Sequence, residues 1–246
     1  MDFDDLEEKL KDPQTSMMIL CNPHNPAGKI WSKEELAKVG ELAKKYGVVV
    51  VSDEVHCEIV RPGKQYVPFL SASDTCREVG ISLIAPTKSF NLAGIQTSAI
   101  CVFDPFIRHR IWRGINTDEV AEPNSFACIC AISAYTKGED WLNEMREYVF
   151  ENRRIAEEFI EKEISGVKVV KGDATYLIWI DISSLKDKVN YTEDLSLMVA
   201  GEVRKKTGLF ITEGGKYGKG GENFLRMNLA APRDLCMDGV NRLKEG

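Results

Sequence analysis

A run of four valines at residues 48–51 constrains the fold of this chain more than any other feature. β-Branched residues without polar alternation are typical of a strand in a parallel sheet, buried on both faces. An earlier apolar run at residues 17–20 predicts a first strand. Between them, Ser32 and Glu35 have the spacing of a helix capping box, and Gly47 lies where a helix end favours glycine. Strand, helix and strand in this order predict a βαβ unit and an α/β fold.

The pattern continues with two further strands and then a long helix. Apolar runs at residues 81–85 and 97–103 predict the strands. An amphipathic helix is predicted at residues 139–164, with its charged residues on a solvated face. Its apolar face is predicted to hold Trp141, Leu142, Met145, Val149, Ile155 and Phe159.

Beyond the long helix, the periodicity indicates a smaller α+β domain. In chain order, its elements are predicted as strands at 167–170 and 175–181, a helix at 192–206, strands at 209–212 and 224–229, and a final helix with Pro232 in its first turn. We place the domain boundary within the long helix, which gives one domain at residues 1–145 and another at residues 146–246.

Composition and charge argue against several function classes. A formal net charge of −6 disfavours a nucleic-acid-binding protein, since such proteins are usually basic. No apolar run reaches the ~18 residues that a membrane helix needs. Seven cysteines without a CxxC pair, together with three dispersed histidines, disfavour a metal site. We expect reduced thiols and a cytoplasmic location.

Polar clusters follow three of the predicted strands. Asn25 lies in the turn-forming sequence NPHNPAG, where a plain turn is the alternative interpretation. Asp53 and His56 lie in SDEVH, where a helix cap is the alternative. Lys88 lies between a core strand and the small-residue sequence SFNLAG, which favours a Schiff-base lysine over a solvated surface lysine. Functional groups of open α/β sheets cluster at the carboxyl ends of strands.

The motifs NPAG, SDEVH and TKSFNLAG, in this order and spacing, resemble those of the fold-type-I, aspartate-aminotransferase-like family of pyridoxal-phosphate enzymes. The resemblance covers essentially the whole chain. It implies a fold-type-I transferase-like α/β fold, in which residues 1–145 form a partial cofactor-binding large domain with a mostly parallel sheet. Residues 146–246 then form the interdomain helix and an α+β small domain. His56, where many aminotransferases have tyrosine, resembles the cystathionine β-lyase or C–S lyase branch, as do CNPHNPAGKIW, SDEVHCEI and KSFNLAG.

The resemblance also implies roles for single residues. Lys88 would hold pyridoxal 5′-phosphate as an imine and transfer protons as the catalytic residue. Asp53 would keep the pyridine nitrogen protonated, and Asn25 would donate to the phenolic oxygen of the ring. His56 would be a further cofactor-binding residue.

One position departs from the family pattern. Many relatives carry a serine three residues before the lysine as a phosphate ligand, whereas this chain has Ala85 there. Thr87 or Ser89 is expected to supply a hydroxyl instead, and we take Thr87 as the cofactor-binding residue.

A fourth motif, NFLRMNLA, contains Arg226. By the same resemblance, Arg226 would bind the substrate α-carboxylate through a bidentate fork. A surface arginine in a salt bridge is the alternative. The preceding glycine-rich segment at residues 214–221 lacks P-loop spacing. It is predicted to be either a flexible loop over the site or a plain surface loop.

Family members carry a substantial segment before the first strand that this chain contains. In relatives that segment holds a glycine-rich helix N-terminus for the phosphate and an aromatic residue that stacks on the ring. We therefore expect a truncated chain with an exposed sheet edge and exposed apolar faces, which associates abnormally, binds no cofactor, or both.

Three functions follow from the resemblance. The first is a C–S β-lyase of the cystathionine β-lyase type, which gives pyruvate, ammonia and a thiol. The alternative is a class I/II aminotransferase that moves an amino group between an amino acid and a keto acid. The second alternative is a non-catalytic fragment or regulatory binding module. The expected partners are an amino-acid substrate and a second copy in a homodimer, with no nucleic acid, membrane or metal.

Overall fold

A computed structural model describes residues 1–188 and 194–246 of the chain. These residues form two compact units. The first comprises Met1–His24 and Lys29–Glu144, and the second comprises Asn25–Gly28 and Met145–Gly246. The domain boundary at residue 145 stays a prediction, because compactness alone does not show which part folds independently.

The first unit contains a four-stranded sheet. Its order is β1 (Met17–Cys21), β2 (Val49–Asp53), β3 (Gly80–Ile84) and β4 (Ala99–Val102). The first three strands are parallel and β4 is antiparallel to β3, which confirms the mostly parallel sheet. Its helices are α1 (Phe3–Leu10), α2 (Lys33–Tyr46), α3 (Phe69–Ala72), α4 (Asp74–Val79), α5 (Pro86–Ser89), α6 (Pro105–Thr117), α7 (Ala127–Lys137) and the start of α8 (Glu139–Glu163).

The ends of α2 follow the signals in the sequence. The Ser32 hydroxyl accepts the Glu35 N–H at 3.2 Å, and the Glu35 carboxylate accepts the Ser32 N–H at 2.8 Å. Gly47 ends the helix with φ of +68°, a left-handed conformation that glycine adopts without strain. The predicted capping box and C-terminal glycine are both confirmed, and they place β2 directly after the helix.

The two faces of this sheet are covered unequally. Helices α1 to α4 form one core with side chains of the face that contains Leu20 and Val50, and Val50 is 0% exposed. On the opposite face, Ile19 is 67% exposed, and Val49 and Val51 are only half-buried. The expectation that β2 is buried on both faces is therefore wrong for this second face, since none of these four helices packs against it.

The second unit contains an antiparallel sheet with α-helices and its own core. The strand order is β5 (Lys168–Val169), β6 (Leu177–Asp181), β8 (Phe224–Asn228) and β7 (Thr212–Glu213). Its helices are the rest of α8, then α9 (Leu195–Thr207) and α10 (Arg233–Glu245).

Some predicted boundaries in the second unit are wrong by a few residues. Of the strand predicted at 209–212, only Thr212 is in a strand, because β7 begins there. Pro232 is the residue before α10 and not within its first turn. Thr192, where a helix was predicted to start, lies outside the described residues.

The buried face of α8 differs from the predicted one. Its buried residues follow the helical spacing Val149, Asn152, Arg153, Ala156 and Ile160, while Trp141 is 48% exposed. Glu157 is buried beside Arg153, so the expectation that all charged side chains of this helix lie on a solvated face is wrong for this pair. Val149 of the predicted face is buried as expected, but selecting apolar residues alone missed Asn152 and Arg153, because their side chains are polar.

Candidate active site

The carboxyl end of β2 carries a buried hydrogen-bonded carboxylate. Glu54 is 2% exposed and accepts hydrogen bonds from the Ser52 hydroxyl and the Phe69 N–H, both at 2.8 Å. Asp53 is half-buried, and its carboxylate accepts the Val55 N–H at 3.2 Å. These bonds form a turn with no helix directly after it, so the helix-cap alternative for SDEVH is wrong. Such satisfied bonds fix the backbone that presents Asp53.

The residues that follow Asp53 lie in a largely buried environment. His56 is 6% exposed. Burial raises the pKa of the Cys57 thiol, and the nearby Glu58 charge raises it further. Burial also raises the pKa of Tyr66, as does the Glu54 charge. Both groups therefore stay protonated at neutral pH, and neither serves as a proton acceptor there.

Lys88 lies on the single turn α5, just after β3. Ala85 precedes this turn, and Pro86 occupies its first position. The lysine side chain is exposed, and within the described residues its ammonium has no hydrogen-bond or ion-pair partner. Because no carboxylate engages this amine, it is available for reaction. A lysine that only contacts solvent at the surface does not need such a reactive amine.

Two contacts hold this turn. The Ser89 hydroxyl donates to Glu58 at 2.5 Å. The Phe90 ring packs edge-on against Tyr135, with a centroid separation of 5.7 Å, and stacks near Trp141 at 6.1 Å. Sequence reasoning did not select Glu58, although it follows SDEVH closely. Because Ser89 is already bonded, Thr87 is the hydroxyl of this turn that remains for another ligand.

In the second unit, Asn25 and Arg226 lie together. The Arg226 guanidinium donates to the Asn25 side-chain oxygen over a long 3.5 Å. Within the described residues no carboxylate pairs with Arg226, so the alternative of a surface salt bridge is wrong. A cation with unused donors suits the binding of an anion.

The Asn25–Gly28 segment is fixed by close backbone contact. The Gly28 carbonyl accepts the Asp173 and Ala174 N–H groups at 2.8 and 3.0 Å. Gly28 has φ of +70°, and a Cβ there would lie 2.6 Å from the Ala174 oxygen. Glycine is thus required twice, by conformation and by space. The segment belongs to the second unit and is more than a plain turn.

Arg153 of α8 holds the segment that binds Gly28. Its guanidinium donates to the carbonyls of Val170, Ala174 and Leu177 at 3.1–3.3 Å, and it pairs with Glu157 at 2.7 Å. The arginine side chain is 1% exposed. Sequence reasoning missed this residue. Its i,i+4 spacing to Glu157 in a helix was the available signal.

The predicted site residues are thus distributed over both units. Asp53, His56, Thr87 and Lys88 belong to the first, where Asp53 and Lys88 follow the carboxyl ends of neighbouring parallel strands. Asn25 and Arg226 belong to the second. Within the described residues, no group of three or more His, Cys, Asp or Glu side chains has an arrangement able to hold a metal ion.

Residues 1–242 match the family described as Aminotransferase class I and II. The chain belongs to this family. It is 40% identical over 244 residues to cystathionine beta-lyase PatB of Bacillus subtilis, and the match covers 99% of this chain and 61% of PatB.

Two solved structures of similar proteins superpose closely on this chain. Cystalysin from Treponema denticola, which contains pyridoxal 5′-phosphate, gives a TM-score of 0.92 at 30% identity and covers 100% of this chain. The pyridoxal-phosphate-bound C–S lyase of Staphylococcus hominis gives 0.89 at 32% identity and covers 99%. The chain spans 60% and 61% of these two proteins. The fold-type-I resemblance and the resemblance to the C–S lyase branch are both confirmed.

Proposed function

We propose that this protein is a pyridoxal-phosphate-dependent C–S β-lyase that cleaves cystathionine-type amino acids to pyruvate, ammonia and a thiol. The observation that carries the proposal is the exposed, unpaired Lys88 amine at the carboxyl end of β3, one strand away from Asp53. Similarity to PatB and to the C–S lyase of Staphylococcus hominis supports the lyase activity.

The side chains of this chain fit the chemical groups of pyridoxal phosphate. Lys88 offers an uncommitted amine for the aldehyde, and Asp53 offers a half-buried carboxylate for the protonated pyridine nitrogen. Asn25 accepts from Arg226 through its oxygen, which leaves its amide N–H groups to donate to the phenolic oxygen. Thr87 keeps a hydroxyl for the phosphate. We propose that His56, in the turn after Asp53, is the remaining cofactor-binding residue.

When bound, the cofactor supplies an electron sink for the negative charge that develops at the substrate α-carbon. Lys88 would hold the cofactor through its amine and would accept the α-proton of the substrate. Arg226 binds the substrate carboxylate. The β C–S bond then breaks with its electron pair on sulfur, which takes up the proton held by Lys88 to give the thiol. Water hydrolyses the released enamine to pyruvate and ammonia.

The second candidate is amino transfer, which the class I and II aminotransferase family itself favours. It uses the same lysine, aspartate and arginine, but the proton returns to a different atom and no C–S bond breaks. A non-catalytic binding module is the third candidate.

A coupled assay separates the three candidates. The protein is incubated with excess pyridoxal phosphate and L-cystathionine, and pyruvate is followed through lactate dehydrogenase, which avoids interference from the seven cysteines of the protein. A lyase forms pyruvate without added keto acid. Amino transfer only in the presence of a keto acid would contradict the lyase proposal, and a colourless, inactive protein would indicate a binding module.

Arg226→Ala is expected to lower kcat/KM for L-cystathionine by about 10- to 150-fold, mainly through KM, because a charge-assisted hydrogen bond is worth about 1.5–3 kcal/mol. Steady-state kinetics of pyruvate formation measure the effect. Arg204→Ala is the matched control, since Arg204 is an exposed arginine of the same unit that stacks on Phe210. Equal kinetics for the two variants would exclude a carboxylate-binding role for Arg226.

We also propose a homodimer in the cytoplasm. Large apolar side chains are exposed on α6 and α7, where Trp112, Ile129 and Ile132 are 59–63% exposed, and such side chains favour association. Sedimentation velocity tests the dimer.

In the described part of the chain, no helix combines the length and apolarity needed to cross a bilayer.

A further inference from the structure

Arg226 lies on the outer face of the antiparallel sheet in the second unit. It pairs in register with Trp179 on β6 and with Thr212 on β7. Its neighbours along β8, Leu225 and Met227, are buried in the core on the other face. The backbone of Arg226 is therefore fixed, whereas the long side chain keeps several rotatable bonds whose freedom must be restricted before it binds a carboxylate.

An aromatic group restricts this side chain. The Tyr217 ring lies 4.9 Å from the Arg226 guanidinium carbon. Tyr217 in turn packs edge-on against Trp179, with a centroid separation of 5.5 Å, and Trp179 stacks on Phe224 at 5.1 Å. The ring covers one face of the guanidinium, and only Nη1 donates to Asn25, which leaves the other N–H groups for a ligand.

Close packing fixes the segment that carries Tyr217. It consists of two 3-10 turns, Gly214–Tyr217 and Gly221–Asn223. A Cβ on Gly214 would lie 2.3 Å from the Gly221 oxygen, and a Cβ on Gly221 would lie 2.1 Å from the Gly214 oxygen. The Gly215 N–H also donates to the Ser196 hydroxyl at 3.0 Å. The plain-surface-loop alternative is thus wrong for Gly214 and Gly221, which are buried.

Within the described residues, no acidic side chain forms an ion pair with Arg226. Glu213 on β7 pairs with Lys216 at 2.7 Å, and this contact lowers the pKa of the Glu213 carboxyl. Within the described residues, the guanidinium lies against the Tyr217 ring face and the amide oxygen of Asn25, and its charge also acts on the pKa of Tyr176, which burial raises. None of these groups neutralises the guanidinium.

We infer that Tyr217 is a positioning residue for substrate binding, whose ring holds the Arg226 guanidinium with its N–H edge open to the substrate α-carboxylate. The inference rests on the proposed function, since it assigns Arg226 the carboxylate. The glycine-rich segment then sets the affinity for the carboxylate, because it carries the Tyr217 ring that holds Arg226. The segment itself forms no hydrogen bond to the substrate.

The test compares Tyr217→Leu and Tyr217→Phe in the holoenzyme, with S-ethyl-L-cysteine and its methyl ester as substrates. Tyr217→Leu is expected to raise KM for the acid about 2- to 30-fold with kcat within about twofold, since a cation–π contact is worth about 0.5–2 kcal/mol. Tyr217→Phe keeps the ring and is expected to retain the wild-type KM. For the ester, which lacks the carboxylate, the leucine variant is expected to match wild type.

A measurement without cofactor gives a second readout. Phenylglyoxal modifies arginine, and peptide mass spectrometry follows the fraction of Arg226 modified with time. Removal of the ring is expected to accelerate this reaction at least about threefold in Tyr217→Leu, but not in Tyr217→Phe. Phe210→Leu is the control, because Phe210 lies 5.3 Å from Arg204 in the same unit and its loss is expected to affect Arg204 alone.

The outcomes separate the inference from the proposed function. If Arg226→Ala raises KM but Tyr217→Leu changes neither KM nor the phenylglyoxal rate, the positioning role is wrong and the carboxylate role stands. Equal KM increases for acid and ester in Tyr217→Leu would also overturn the inference, because they indicate general loosening of the segment. If Arg226→Ala itself has no effect, the carboxylate role of Arg226 is wrong and the inference falls with it, whereas pyruvate formation from L-cystathionine still decides the lyase activity.

Discussion

Lys88→Ala is expected to abolish covalent attachment of pyridoxal phosphate and to lower pyruvate formation by at least about 10²–10⁴-fold, the range typical of a lost general acid–base group. The physical reason is that the Lys88 amine is the attachment point and the proton acceptor at the same time. In the wild type, borohydride reduction followed by proteolysis and mass spectrometry should place a pyridoxyl group on Lys88.

Lys33→Ala is the control for this experiment. Lys33 is a similarly exposed lysine in the first unit, at the start of α2, where a positive charge contributes little to helix stability. This variant should keep the yellow absorbance and the label at Lys88. A label of wild-type yield on the Lys88→Ala variant, at any other lysine, would falsify the assignment.

Replacement of Arg153 by methionine is expected to destabilise the second unit by about 3–5 kcal/mol, because it leaves the buried Glu157 carboxylate with only a longer contact to Lys171 at 3.6 Å and three carbonyls without their donor. The Gly28 segment depends on the same residues, so its backbone should open as well. Urea denaturation gives the change in unfolding free energy, and hydrogen exchange of the 173–177 backbone amides reports the local opening.

The neighbouring arginine is a matched control. Arg154 forms ion pairs with Glu151 and Glu158, yet its side chain is 51% exposed. Arg154→Met should leave the denaturation midpoint nearly unchanged, because exposed ion pairs are screened by solvent. A double variant, Arg153→Met with Glu157→Leu, should recover part of the loss, since it removes the buried carboxylate that has lost its arginine partner. If Arg153→Met and Arg154→Met unfold at the same urea concentration, the buried pair does not hold this segment.

Sequence signals with a local physical cause gave correct predictions. The capping box of Ser32 and Glu35, the glycine at position 47 and the valine run act within a few residues, and each is found where expected. The order of NPAG, SDEVH and TKSFNLAG also identified the family, because the residues that such a cofactor requires occur at fixed spacing along the chain. The roles of the single site residues stay predictions.

Features that depend on contacts between distant segments were not predictable in this way. Burial of Arg153 depends on carbonyls 17–24 residues away, which no pattern within α8 reveals. The exposure of Ile19 depends on which face of the sheet the helices cover. The bond between Ser89 and Glu58, which leaves Thr87 as the available hydroxyl, joins residues 31 positions apart.

The sequence by itself determined the strand–helix order and the family, because local backbone preferences and motif residues are properties of single residues and their near neighbours. Only the tertiary structure decided which charges are buried, which segment joins which unit, and which ring lies against Arg226. These depend on the packing of segments far apart in the chain, where space and hydrogen-bond partners are set by the whole fold.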